Sequence, residues 1–264
     1  MGAAANPPAQ ERAIHTEILP VLLILFFATL VRSTFGFGEA LVAVPLLALC
    51  IPVQEAAPLA VLVSITIAAI VVAQDWRHIH LRSAGWLLGA SALGIPCGVL
   101  LLQRGHPRAI KAALALAILA FAAYALRKKT PSAQPQDPLP AHEPRRWLIL
   151  FGFFAGVMGG AFGMNGPPLV LYGSLRRWTA QQFRATLQAY FLPASLLGMA
   201  GYWRAGLWTH AVTHNYLLAV PVILPAVWLG GLLHRRISAV AFQKYVYLGL
   251  CGIGMLLLLQ ALRP

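Results

Sequence analysis

Two short stretches of this chain place polar, charged and conformationally permissive residues inside long apolar surroundings. The first reads Arg32-Ser33-Thr34-Phe35-Gly36-Phe37-Gly38-Glu39 and lies within the apolar segment 18–51. As one helix that segment would be about 50 Å long, against a hydrocarbon core of about 30 Å. Two glycines, two hydroxyls and two charges do not continue a lipid-facing helix. The second stretch reads Gly159-Gly160-Ala161-Phe162-Gly163-Met164-Asn165-Gly166-Pro167-Pro168. Proline is accepted in a helix's first turn, where its missing N–H has no partner to lose, so Gly163–Gly166 reads as a break and a new helix begins near Pro167. Each break creates a helix N-terminus with unpaired N–H groups and a partial positive charge, which is an anion site made of backbone. The candidate substrate-binding residues are therefore Ser33, Thr34, Gly36, Phe37, Gly38, Gly163, Met164, Asn165, Gly166 and Pro167. Close helix packing also uses glycine, but it accounts for neither Asn165 nor Glu39.

Of the seven acidic residues, Glu11, Glu17, Asp137 and Glu143 fall in tails or loops, and Glu55 and Asp75 at the ends of apolar runs. Glu39 alone sits beside a break. A carboxylate at membrane depth is a functional candidate by default. Two roles fit it: taking up a proton and coupling transport, or pairing with Arg32 seven residues earlier. An ionised Glu39 would repel an anion, so direct ligation requires the protonated form. Arg77 and Arg204 each follow a tryptophan, as interface anchors do; they are also candidates for lining an anion path. Ser64, Thr66 and Gln188 lie within spans, where hydrogen bonding between helices is the ordinary role and reaching a cavity the sharper one. His78, His80, His210 and His214 have no carboxylate or cysteine placed with them, and Cys50, Cys97 and Cys251 are isolated in apolar runs as core cysteines would be. No metal and no cofactor is expected.

The elements that must position these residues are set by composition. The chain has 264 residues, 59% hydrophobic and 10% charged, with a mean hydropathy of +0.73; soluble domains carry about 25% charged residues. Residues 56–74, 84–102, 109–126, 186–203, 216–233 and 240–262 are runs long enough to cross a bilayer as helices. No short alternating pattern suggests a barrel, the other architecture that satisfies the backbone in lipid. The expected fold is an all-α integral membrane protein. The net charge of +13 resides largely in clusters such as Arg145-Arg146, Arg176-Arg177 and Arg235-Arg236 between apolar runs. That is a topology signal rather than a nucleic-acid footprint, and nucleic acid is not an expected partner. The polar first 17 residues lack a basic leader and cleavage site, and read as an uncleaved start.

The chain also repeats itself. Phe35-Gly36 recurs as Phe162-Gly163 and Trp76-Arg77 as Trp203-Arg204, at one common offset, and Pro96 pairs with Pro225. The expected organisation is an N-terminal repeat over 1–126, a basic, proline-rich linker over 127–146, and a C-terminal repeat over 147–264. Each repeat holds a glycine-broken or re-entrant segment followed by three transmembrane helices. If each broken segment crossed once, Lys and Arg would divide evenly between the two sides. If each enters and returns, Arg77, Arg82, Arg127, Lys128, Lys129, Arg145, Arg146, Arg176, Arg177, Arg184, Arg235, Arg236 and Lys244 fall on one side, and only Arg12, Arg104, Arg108, Lys111, Arg204 and Arg263 on the other. The second threading has the usual bias. It makes the repeats inverted, the linker cytoplasmic and the termini periplasmic, in a bacterial inner membrane. Repeats of this kind are characteristic of secondary transporters.

Gly36–Leu47 (GFGEALVAVPLL) and Gly159–Tyr172 (GGAFGMNGPPLVLY) resemble the paired signatures of the TauE/SafE sulfite-exporter family, and Arg184-Ala185-Thr186-Leu187 is similar to members as well. The resemblance runs over nearly the whole chain. Many members have a glycine run where this chain has Gly38-Glu39, and glycine where it has Asn165. The resemblance implies transport of sulfite or of organosulfonates such as sulfoacetate. Residue chemistry independently reaches a repeat-built carrier of small inorganic or organic anions, working by alternating access around a site between the two breaks. An anion channel, or a membrane subunit of a larger transport system, is the alternative. An enzyme is not expected: no G-x-S-x-G, H-E-x-x-H or paired intramembrane carboxylates occur. The expected partners are the anion and the lipid bilayer; the oligomeric state is not encoded legibly, with a homodimer as the working expectation.

Overall fold

The computed structural model describes residues 9–36, 38–75, 81–127, 145–175, 180–234 and 239–262, and every regular element among them is an α-helix. The N-terminal half contains α1 (Ala9–Phe35), α2 (Glu39–Cys50), α3 (Val53–Asp75), α4 (Leu81–Arg104) and α5 (Pro107–Arg127). The C-terminal half contains α6 (Arg145–Phe162), α7 (Gly166–Leu175), α8 (Ala180–Arg204), α9 (His210–His234) and α10 (Ala239–Leu262). Each half thus runs as a helix, a break, a short helix and three long helices. Most of the linker lies outside the described residues.

Local chemistry sets the helix ends. Ile51 is extended before Pro52, as a residue preceding proline prefers, and the Pro52 carbonyl accepts from Glu55 and Ala56 to begin α3. Pro107 opens α5 in the position where proline costs no hydrogen bond. After α8, Gly206 takes φ 71° and Leu207 N–H reaches back to the Tyr202 carbonyl, a Schellman ending. Thr209 Oγ1 then accepts from Val212 N–H and caps α9.

Among the described residues, five helices are long and apolar enough to cross a membrane: Val53–Ile70, Gly85–Arg104, Pro107–Arg127, His210–Leu233 and Tyr245–Leu262. The sixth long run, 186–203, forms the C-terminal part of α8, whose first turns carry Gln181, Gln182, Arg184, Thr186 and Gln188. α8 packs against α3, α4 and α6, and buries Tyr190, Phe191, Ser195, Met199 and Tyr202 while exposing Leu196, Leu197 and Trp203. α3 is likewise central, with 67% of its span buried, whereas α10 has 17%. Outer helices expose large apolar side chains, including Leu93, Leu217, Trp228 and Met255, as expected of a lipid-facing belt rather than a wet surface. Cys50 and Cys97 are exposed and so are not core residues, since an apolar run can supply the lipid face as readily as the interior, whereas Cys251 is half-buried and packs against the core.

Helices from the two halves interleave. α4 lies along α6 and α1 along α9, while α5 packs on α10 and α3 on α8. The α4–α6 seam is closed by small residues. Gly152, Gly156 and Gly160 recur every four residues on α6, and a Cβ on the latter two would strike the α4 backbone at Ser91 and Ile95; Gly94 and Gly98 answer from α4. Ser91 Oγ fastens the seam by donating to the Gly152 carbonyl at 2.6 Å.

Candidate functional site

The shared Phe-Gly landmarks are the ends of helices. Gly36 adopts φ 83° and its N–H bonds the Arg32 carbonyl at 2.6 Å; Gly163 adopts φ 67° and its N–H bonds the Gly159 carbonyl at 2.8 Å. Both are the left-handed glycine cap that stops a helix without the Cβ clash other residues would incur. α1 and α6 therefore end by the same device, at corresponding positions, inside the protein.

Beyond the caps the two breaks differ. Gly38, also left-handed at φ 96°, precedes α2 and supplies no side-chain cap. The first N–H groups of α2 have no partner within the helix. In the second break Asn165 precedes α7, whose Pro167 and Pro168 have no N–H. The second helix end thus keeps its dipole but offers fewer donors than the first, with Asn165 and Gly166 as its polar contribution.

Both breaks line one cavity, about 30 Å³ in volume, whose wall includes Gly38–Leu41 from the first and Gly163–Pro167 from the second. Arg32, Ser64 from α3, Phe121 from α5, and Phe191 and Ser195 from α8 complete it. One buried water needs roughly 10–15 Å³ by this kind of measure, so the space has room for about two to three waters.

Arg32 and Glu39 form its charged floor. Arg32 Nη1 donates to Glu39 Oε2 at 2.9 Å and to Ser64 Oγ at 2.5 Å, and the guanidinium lies 5.4 Å over the Phe191 ring. Arg32 is 4% exposed and Glu39 1%. Burying two charges is costly unless they pair, and a cation over an aromatic face regains part of that cost. The pairing is one-armed: Arg32 Nη2 and Glu39 Oε1 are buried without a hydrogen-bond partner. Around the second break the polar groups are neutral. Asn165 Nδ2 lies 3.5 Å from the Tyr190 hydroxyl, which contacts Ser91 Oγ at 2.7 Å, while Tyr202 donates to the Gly159 carbonyl at 3.1 Å. Gly159 has to be glycine here, because a Cβ would occupy the place of the Asn165 side-chain amide.

Several candidate residues take other places. Thr34 Oγ1 donates to the Leu30 carbonyl at 2.8 Å and reaches the Gly230 carbonyl at 3.4 Å, and Ser33 packs on Gly230, so both face α9 rather than the cavity. The reason is helical rotation: one and two residues beyond Arg32, they project about 100° and 200° around α1 from it. Gly36 caps α1 and is not in the cavity wall. Phe37 and Arg77 lie outside the described residues. Arg204 is exposed at the end of α8, away from this cavity. Thr66 bonds Tyr216 across helices at 2.6 Å, whereas Ser64 reaches the cavity through Arg32. His210 and His214 stack as neighbours on one turn, and no three His, Cys, Asp or Glu side chains gather among the described residues.

The cavity-lining residues that sequence reasoning did not place in the site are Arg32, Ala40, Leu41, Phe121, Phe191 and Ser195. Arg32 had a signal, being a cation in a break with one carboxylate nearby. The other five had none, because ordinary apolar and hydroxyl residues in a helix acquire meaning only from what they face.

The family model for sulfite exporter TauE/SafE matches residues 21–257. The chain is also 27% identical over 256 residues to the probable sulfite/organosulfonate exporter TauE of Cupriavidus necator, covering 93% of this chain and 96% of that protein. No solved structure matches. The matched region takes in both glycine-capped breaks, all the cavity-lining residues and the core of each membrane-length helix, and the chain belongs to the TauE/SafE sulfite-exporter family of membrane transporters, not enzymes.

Proposed function

We propose that this protein is a secondary carrier for small sulfur-containing anions, sulfite or organosulfonates such as sulfoacetate, working by alternating access with its site between the two helix breaks. The observation that carries this reading is the convergence of both breaks and one buried arginine on a single small cavity. Helix N-termini and a guanidinium are complementary to a sulfonate or sulfite oxyanion. The relative's name supplies the sulfur chemistry, which cavity polarity alone does not. In this reading Gly38, Gly163, Met164, Asn165, Gly166 and Pro167 contact the substrate. The cavity's small volume favours a carrier that must open to load over a standing pore.

The halves act as inverted repeats, 1–126 and 147–264, joined by a cytoplasmic linker over 127–146, with periplasmic termini in an inner membrane. The crosswise packing of α1 on α9 and α6 on α4, at equivalent places in the element order, supports this arrangement. Purified protein in liposomes is expected to move labelled sulfite with saturation; non-saturating flux would favour a channel. For the topology, Ala133→Cys in a background lacking Cys50, Cys97 and Cys251 is expected to resist an impermeant thiol reagent added outside intact cells.

A further inference from the structure

Glu39 is the first residue of α2, in the turn that carries the helix's unpaired N–H groups, and its carboxylate touches Arg32. Those two features are what an oxyanion would bind. We propose that Arg32 is a direct ligand of the transported anion and that Glu39 is its tethered stand-in, which yields the site by taking up one proton, so that each monoanion travels with one proton in the same direction. This rests on the carrier reading above and adds the ligand, the displaced group and the stoichiometry.

The half-used ion pair is the first support. A guanidinium can present two parallel N–H donors to an oxyanion, yet Arg32 spends Nη1 on Glu39 and Ser64 and leaves Nη2 buried without a partner. Glu39 Oε1 is unpartnered in the same way. A contact of this kind is easier to exchange than a two-armed one, and the free donor is a place for an incoming oxygen to bind before the carboxylate leaves.

Charge balance is the second. Among the described residues Arg32 and Glu39 are the only charged groups lining the cavity. α1 brings Arg32, α3 brings Ser64, α5 brings Phe121, the second break brings Asn165, and α8 brings Phe191 and Ser195. α10 packs along α2 but places Tyr247 against Phe121 rather than at the carboxylate. The empty site is therefore neutral overall. A monoanion added to it would leave a net negative charge in a low-dielectric interior, which is costly. If one proton arrives with the anion, Glu39 becomes a neutral acid, Arg32 pairs with the substrate, and the loaded site is neutral as well. Neither form then carries net charge through the low-dielectric part of the transport cycle. The proton comes from the side that supplies the anion and leaves with it, and no covalent bond other than the carboxyl O–H forms or breaks.

The test uses the full chain in proteoliposomes containing a pH-sensitive dye, with labelled sulfite and labelled methanesulfonate as probes. The second probe is a permanent monoanion and cannot itself carry the proton. Saturable methanesulfonate entry is expected to acidify the lumen by one proton per anion and to be indifferent to a clamped membrane potential. Entry of methanesulfonate without acidification, or with one negative charge moved per anion, would overturn the inference while leaving the carrier reading intact. Absence of saturable flux of both probes would overturn that reading and the inference with it. Glu39→Gln is expected to retain anion-for-anion exchange, which shows that the protein is folded, while net uptake falls at least about tenfold and loses its response to a pH gradient. The reason is that the empty variant must return with an uncompensated Arg32. If Glu39→Gln does not fold, the wild-type proton count decides alone; if it folds and keeps the wild-type pH response, Glu39 is not the proton carrier.

Discussion

The two breaks begin alike and end differently. At Gly36 and Gly163 the chain leaves a helix through the same left-handed cap, with the same N–H returning to the carbonyl four residues back. At the cavity the first break presents a charged pair, Arg32 before the cap and Glu39 after it, and the second presents a neutral amide and Pro167. Backbone geometry is therefore duplicated while chemistry is divided. A duplicated binding element need not hold charge twice. Two buried ion pairs in one small cavity would raise the desolvation cost of the empty site, and two buried arginines without carboxylates would leave it strongly charged.

The largest effect should come from unbalancing the charged break. Arg32→Ala or Glu39→Ala strands the other charge in the interior and is expected to cost about 3–5 kcal/mol of stability, read as a drop in the melting temperature of purified protein. Replacing both, Arg32→Gln with Glu39→Gln, should recover most of that stability but no saturable anion flux. Recovery of flux in the double variant would show that the charged break is not what binds the anion.

Next in size is the cap itself. Gly163→Ala meets both the left-handed backbone and the Val61 Cγ2, and is expected to lose about 1–3 kcal/mol through strain and overpacking. Gly38→Ala has open space at the Cβ and meets only the backbone term, about 1–2 kcal/mol. Equal losses at the two positions would mean that α3 does not press on the second break.

A smaller effect is expected from moving charge to the neutral break. Asn165→Asp adds a carboxylate to the cavity wall and should raise the concentration for half-maximal flux about tenfold, equivalent to about 1.4 kcal/mol. The smallest is Tyr190→Phe. Ser91 keeps its bond to the Gly152 carbonyl, so a loss of about 1 kcal/mol in stability with little change in flux is expected. A large flux defect there would make the Asn165–Tyr190–Ser91 chain part of the transport site rather than its support.

Much of this architecture was readable because it depends on local chemistry. Apolar runs of sufficient length specify helices, and Phe35-Gly36 and Phe162-Gly163 mark their ends because only glycine takes the left-handed cap cheaply. Ser33 and Thr34 were grouped with Arg32 by proximity in the chain, but helical rotation turns them onto α9. The two families of glycines in α6 read alike in the sequence: Gly156 and Gly160 seat α4, whereas Gly159 seats Asn165.

By itself, then, the sequence determined that this is a helical membrane protein with two interruptions, because hydropathy and backbone permissiveness belong to each residue and its near neighbours. Only the tertiary structure decided that Arg32 is held between Glu39, Ser64 and Phe191, and that both interruptions face one cavity. Those relations join α1, α2, α3 and α8 across as many as 159 residues, the separation of Arg32 from Phe191. They depend on which faces the helices turn to one another, a property no single segment carries.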